Sequence, residues 1–482
     1  MKDNTIYNCH THIFTIDHVP NKFGKKLIPV FYHLITMRFI KWYYETFTSR
    51  GNRKYKQFIH KVKKIKYGFI SFLKWTVVLQ LLNILIFFVI KWLFQVFANL
   101  IRIDFLFSKA AKETFSRFKA MGRHSLYKKQ DKLFDLLAKS YQPGTKFVVL
   151  SMDMDYMKAG KPIVPYLEQL EDLKRIKSNH RDTIFPFLFL DPRRIKETKE
   201  QKGFKNYESY SQHLLSKSYF NGIKLYPALG YYPFDKEWIS SFKFVEENEI
   251  PIISHCIEGT VFYRGKKQES WNSHPILKYN KKNKEMLPIP LPQSDNYDFT
   301  KNFTHPLNYH CLMNKDLLKE YLGEEVDLKN LKICLAHFGG SDEWNRYLND
   351  SWNNYNKNIS HEPIEEYIKK TNTLNHKNPR TIWWNASWLS IIYDLMITYP
   401  NFYTDISFIL YNDEFFPLLK FMLQDEKVKN KILFGTDYYL VSQKNTESVL
   451  FQKLRGYLGE ELFHLISNEN PRRFLSTKWQ RF

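Results

Sequence analysis

The stretch Thr5-Ile6-Tyr7-Asn8-Cys9-His10-Thr11-His12 decides how this chain is read. Its first half is a short strand-like run, and two histidines close it. Alternate side chains of a strand share a face, so His10 and His12 project together from its C-terminal end. Two imidazoles so placed can hold a divalent metal. His-x-His also arises by chance, so its weight depends on what closes the later strands.

Seven further apolar, β-rich runs follow, at 146–153, 184–191, 221–226, 250–256, 331–337, 401–407 and 431–437. Helix-like stretches lie between most of them, at 164–178, 206–219, 235–248, 385–399 and 413–424. Strands alternating with helices predict a parallel sheet, and eight such units predict a closed (β/α)8 TIM barrel of the α/β class. The nearly continuous apolar strands agree, because barrel strands are covered on both faces. A length of 482 residues suits such a barrel with insertions. Three connections, 13–145, 257–330 and 338–384, far exceed the usual few residues. All three leave C-terminal strand ends, where barrels build their sites, and they are expected to form a cap. Polar and aromatic groups of the second include Arg264, Lys266, Trp271, His274, His305, Asn308, Tyr309 and His310.

The strand ends carry the chemistry. His10 and His12 close the first run, His255 the fifth, His337 the sixth and Asp437 the eighth, with Lys224 near the end of the fourth. Each histidine alone reads as a packed core residue. Placed at strand ends in barrel order, together they predict one shared site. Imidazoles with a carboxylate suit Zn2+ first, with Mn2+ or Fe2+ as alternatives. Such a metal lowers the pKa of bound water to about 7 and polarises a carbonyl. Asp437 is expected to accept the proton of that water, and His337 to act as a second ligand or as general acid and base.

These residues resemble the amidohydrolase superfamily of metal-dependent barrel enzymes, and within it the branch related to aminocarboxymuconate-semialdehyde decarboxylase. The resemblance rests on Cys-His-Thr-His-Ile-Phe at 9–14, Gly-Ile-Lys-Leu-Tyr-Pro at 222–227 and Ile-Ile-Ser-His-Cys at 252–256. It continues through Leu-Ala-His-Phe-Gly-Gly at 335–340, Leu-Phe-Gly-Thr-Asp at 433–437 and Asn-Glu-Asn-Pro-Arg-Arg-Phe-Leu at 468–475. It implies His10, His12, His255 and Asp437 as metal ligands and His337 as the catalytic or second-metal histidine. In binuclear members a carboxylated lysine bridges two metals, which would give Lys224 and His337 to a second ion. The default for Lys224 is a structural role or contact with a substrate carboxylate. Asp191 and Arg193 are expected to fix a loop, and Asp153 and Asp405 to be buried hydrogen-bonding carboxylates. Asn308 and His305 are weak candidates for holding substrate.

Residues 21–125 depart from that pattern, so the domain reading is 1–20 with 126–482 as the barrel and 21–125 as a helical insertion. From Lys22 to Lys66 there are thirteen Lys or Arg and one acid, Glu45. An apolar segment follows at 68–107, with sixteen uncharged residues between Lys74 and Lys91. As a helix these reach about 24 Å against a hydrocarbon core of about 30 Å. One crossing would part His10 and His12 from His255 and Asp437, so a single span is excluded. What remains is a helix lying on an anionic membrane surface, a re-entrant hairpin, or an apolar surface buried in an oligomer or against the barrel.

The formal net charge of +23 fits an anionic surface or an acidic substrate. Nucleic acid ranks last, since no zinc-finger spacing, RNP-like segment or phosphate-binding glycine loop occurs. Cys9, Cys256, Cys311 and Cys334 show no paired spacing and read as buried free thiols, and no signal peptide opens the chain, so the cytoplasm is expected. The function expected is hydrolysis of an amide, lactone or ester in a carboxylate-bearing small molecule. The alternatives are non-oxidative decarboxylation on the same barrel and a non-catalytic membrane scaffold.

Overall fold

The computed structural model describes residues 4–26, 33, 36–47, 129–197, 200–259, 261–280, 285–357, 379–438 and 447–481. The apolar segment 68–107 and most of 21–125 lie outside the described residues. Among the described residues no helix is long and apolar enough to cross a membrane.

Eight strands form one parallel sheet: β1 Tyr7–Thr11, β2 Lys146–Leu150, β3 Ile184–Phe189, β4 Gly222–Leu225, β5 Ile252–His255, β8 Ile333–Ala336, β9 Phe402–Asp405 and β10 Ile432–Leu433. They pair in that order, from β1 through β5 and β8 to β10. The sheet closes on itself because Cys9 N–H donates to the Phe434 carbonyl at 2.8 Å and His12 N–H to that of Tyr438 at 2.7 Å. The chain is a (β/α)8 barrel.

The strands are short, and every residue of β3, β4, β5, β8 and β9 is buried. One side feeds an interior cluster of Tyr7, Cys9, Val148, Leu150, Phe185, Phe187, Ile253, Cys334, Ala336, Tyr403 and Leu433. Each large apolar side chain buried this way contributes roughly 1.5–3 kcal/mol. Phe474 and Leu475 of the closing helix Asn470–Leu475 join the same cluster. Before that helix the backbone widens into a π turn, Leu465–Glu469, from which the Ile466 carbonyl accepts the Phe434 N–H at 2.9 Å. The amide of Asn470 donates to the carbonyl of Ile432 at 2.8 Å, and that of Asn468 to the carbonyl of Thr5 at 2.7 Å. The terminal motif therefore ties down the first and last strands.

Helices cover the sheet where the apolar period falls near 3.6, among them Tyr166–Asn179, Tyr207–Ser216, Ile239–Glu247, Trp388–Thr398 and Phe416–Met422. One antiparallel hairpin was not anticipated. Within 257–330, β6 Ser273–Asn280 pairs with β7 Met286–Pro290. The prolines of Met-Leu-Pro-Ile-Pro argue against a central strand, and a two-stranded ribbon, all edge, tolerates them. All four cysteines are free and buried, as expected.

The chain divides into two compact units. The barrel comprises Met1–Phe14, Gln130–Lys158 and Val164–Phe482, and the second unit Thr15–Lys129 with Ala159–Ile163. Within the second, Thr15 caps a 3-10 turn at Ile16–His18, and the Lys41 ammonium pairs with Asp17 at 2.6 Å.

Candidate metal centre

His10 reaches the site through a bulge in β1. Asn8 pairs with Phe147 and Thr11 with Val149, so three steps on β1 oppose two on β2. The extra residue lets Cys9 join the interior cluster while both His10 and His12 still turn to the barrel mouth, a re-aiming typical of bulges. Gly435 makes room for this. A Cβ there would lie 2.8 Å from His10 Cβ and 3.2 Å from its backbone nitrogen.

His12 Nε2 lies 3.4 Å from Asp437 Oδ1, and His10 Nε2 lies 3.7 Å from the same oxygen. His10, His12 and Asp437 thus offer three ligand atoms within 4.8 Å of one another, all buried. The rings are oriented from behind. His10 Nδ1–H donates to Asp405 Oδ2 at 2.9 Å, and His12 Nδ1–H to the Leu150 carbonyl at 3.1 Å. Both therefore present an unprotonated Nε2 to Asp437, the arrangement in which histidine binds a metal while its other nitrogen holds a hydrogen bond. His10 Nε2 has no hydrogen-bond partner among the described residues. Neutral imidazole is favoured at each, because burial first and the nearby Lys224 charge as well push the pKa of His10 well down. Burial, His10 and Lys224 do the same to His12, against the Leu150 carbonyl and Asp405. The donor set fits a divalent ion.

His255 stands outside that three-atom cluster. Its Nδ1 contacts His337 Nε2 at 3.1 Å, and its ring stacks on Tyr226 with centroids 3.9 Å apart. His337 packs against His10, with ring centroids at 4.7 Å, and its Nδ1 meets the Ser407 hydroxyl at 2.9 Å. A second group of potential ligands, His10, His337 and Asp405, also lies within 4.8 Å. Burial is the main cause that pulls His337 well below its ordinary pKa. Two site residues carry left-handed backbone, His337 at φ 68° and Asp437 at φ 59°. Such conformations cost about 1–3 kcal/mol each outside glycine and gather at functional sites. The turn at His337 is held by its own N–H to Asp405 Oδ1 at 3.1 Å and by the Trp344 indole donating to the Phe338 carbonyl at 3.0 Å.

Lys224 is fully buried on β4, and its Nζ finds no hydrogen-bond partner among the described residues. Burial pulls its pKa down to about 8, against the opposing pull of Asp405 and Asp437. Asp405 is a buried hydrogen-bonding carboxylate, but its partners include a candidate ligand, so it matters more than strand position alone suggests. Ser407 went unnoticed in the sequence; the only signal is Asp-x-Ser closing the β9 run, which puts both on one face.

The other candidates are held structurally. Arg193 forks onto Asp191 at 2.8 and 2.6 Å, and Arg194 bridges Asp153 at 2.5 Å and Asp155 at 2.8 Å. Asn308 donates to the carbonyls of Asn302 and Phe303 and its oxygen meets His274 Nε2 at 3.0 Å. His305 stacks on Trp383 with centroids at 3.8 Å and contacts its carbonyl at 3.2 Å. These contacts tie the connection 257–330 to itself and to the helix Pro379–Asn385.

The sequence matches no family model and no curated protein. Solved structures do match. A dihydroxybenzoic acid decarboxylase from Polaromonas, with bound manganese and 2-nitroresorcinol, shares 14% identity over 72% of this chain and 85% of its own, at a TM-score of 0.39. A protein from Staphylococcus aureus assigned as an amidohydrolase shares 15% over 68% and 86%, at 0.40. One from Acinetobacter baumannii assigned as a 2-pyrone-4,6-dicarboxylic acid hydrolase shares 10% over 72% and 88%, at 0.37.

Proposed function

We propose that this chain is a metal-dependent enzyme of the amidohydrolase type that hydrolyses an amide, lactone or ester. The observation that carries the reading is the convergence of His10 Nε2, His12 Nε2 and Asp437 Oδ1, with both rings held as Nδ1–H donors. These three groups, with His255 as the further ligand the motifs imply, would hold a divalent ion, which would supply Lewis acidity toward water and a carbonyl. Zinc is the first choice for this donor set, with manganese and iron as alternatives.

The chain's own groups do the rest. Asp437 faces both ligand rings through Oδ1, and its carboxylate would accept the proton released from water at the site. His337, buried between the rings of His10 and His255, stands beside the reacting groups and orients the His255 ring through its Nε2. The Lys224 ammonium adds positive potential, which favours a substrate bearing a carboxylate. A bridging role between two metals is not needed for this chemistry.

Metal-loaded protein should be offered a panel of lactones, amides, esters and carboxylated enols. Turnover of the first three without gas release supports hydrolysis. Release of carbon dioxide from the carboxylated enols alone would replace hydrolysis by decarboxylation on the same residues, and inactivity of metal-loaded protein on every class would count against the enzyme.

A further inference from the structure

Asp405 is the hub of the buried polar groups behind the site. Its Oδ2 accepts from His10 Nδ1 at 2.9 Å. Its Oδ1 accepts from the backbone N–H of Ser407 at 3.0 Å, from that of His337 at 3.1 Å, and from the Ser407 hydroxyl. A carboxylate only accepts, so each of these contacts fixes where a proton sits. Ser407 spends its hydroxyl proton on Asp405, and its oxygen is left to accept from His337 Nδ1 at 2.9 Å. That puts the His337 proton on Nδ1 and makes its Nε2 an acceptor. His255 Nδ1, 3.1 Å away, must then be the donor. The proton of His255 is thereby fixed on Nδ1, which leaves Nε2 as the nitrogen able to ligate.

We propose that Asp405 and Ser407 are positioning residues: one carboxylate sets the tautomer of His10 directly and those of His337 and His255 in series through the Ser407 hydroxyl. The direct branch holds the opening metal ligand, and the relayed branch prepares the His337–His255 pair. The inference rests on the metal-site reading above, and it adds that two separable hydrogen-bond paths leave one group. The left-handed backbone at His337 goes with both its N–H and its ring lying within reach of the Asp405–Ser407 pair.

The test uses full-length protein, with zinc affinity by chelator competition and the histidine tautomers by 15N NMR of the metal-free chain. In Asp405→Asn three donors converge on the Oδ1 position, so the amide oxygen belongs there and its NH2 turns to His10. His10 must then move its proton to Nε2, and zinc affinity should fall about 10–100-fold. In Ser407→Ala the Asp405–His10 bond survives, so zinc affinity should fall less than in Asp405→Asn while the His337 and His255 signals become tautomer mixtures. Ser407→Thr, which keeps the hydroxyl, should restore the wild-type pattern. Wild-type zinc affinity in folded Asp405→Asn, or unchanged His337 and His255 tautomers in Ser407→Ala, would overturn the proposal. Should Asp405→Asn not fold, the Ser407 pair decides alone. Absence of zinc binding by wild type would instead remove the metal reading, while the metal-free tautomers would still report on the relay.

Discussion

Asp437 Oδ1 stands 3.4 Å from His12 Nε2, and the far side of that ring already spends its proton on the Leu150 carbonyl. Two acceptors facing each other in a buried site repel unless a proton or a cation lies between them. His10 Nε2 adds a third acceptor at 3.7 Å from the same oxygen. The fold therefore holds like partial charges together, and a divalent ion relieves that cost.

Adding zinc or manganese to metal-free protein should accordingly raise its stability. At a free concentration about a thousand times Kd the gain is about 4 kcal/mol. In His10→Ala or Asp437→Asn the same addition should give well under half of that, read as the shift in thermal midpoint. Equal shifts in wild type and both variants would mean that the ion binds elsewhere.

Gly435→Ala is expected to destabilise the chain by about 1–3 kcal/mol, the usual cost of overpacking. The new methyl would meet His10 Cβ at 2.8 Å, so metal affinity should fall with it. Urea unfolding and metal titration measure the two effects. A neutral outcome in both would show that β1 can yield without disturbing the ligand.

Burial holds His274 at about 4, His305 at about 3 and His310 at about 4. In the unfolded chain histidine titrates near 6.5. Below that value the unfolded chain binds more protons, so stability should fall as pH drops from about 6.5 toward 4 and be level above pH 7. Asp153, Asp235, Glu246, Asp298, Glu343 and Glu447, which burial pushes up, act in the opposite direction over part of this window, while His10, His12 and His337, which burial pulls well down, add to the slope of the other three histidines. Urea unfolding of metal-free protein at several pH values checks the slope, and a stability that rises on acidification would contradict it.

Arg194→Ala should cost about 3–5 kcal/mol, because it strands a buried carboxylate. Asp153 is fully buried and takes the Arg194 guanidinium at 2.5 Å. The double variant Arg194→Met with Asp153→Leu should recover much of that loss. Chemical denaturation of the two variants gives the comparison, and a double variant no better than the single would place the loss elsewhere.

The barrel was legible because its strands are short, apolar and closed by residues with chemistry. His10, His12 and Asp437 could be brought together from strand order alone, since parallel strands of a barrel all open on one face. The bulge in β1 was not legible: period two already put His10 and His12 on one face, and nothing in Cys-His-Thr-His marks an extra residue. Neither was the pairing of His255 with His337, which depends on a left-handed turn at a non-glycine residue. The hairpin β6–β7 was hidden by its prolines, and Ser407 by being an ordinary serine whose importance comes only from what Asp405 accepts. Cap residues such as His305 and Asn308 looked available in sequence because their partners, Trp383, Phe303 and His274, are set by tertiary packing.

The most direct measurement is the metal content of purified full-length chain beside that of His12→Ala, both confirmed folded by circular dichroism. The account predicts a tightly held divalent ion in stoichiometric amount in wild type and its loss from the variant. Metal-free wild type that refuses zinc, manganese and iron alike, or a variant retaining the full amount, would contradict it.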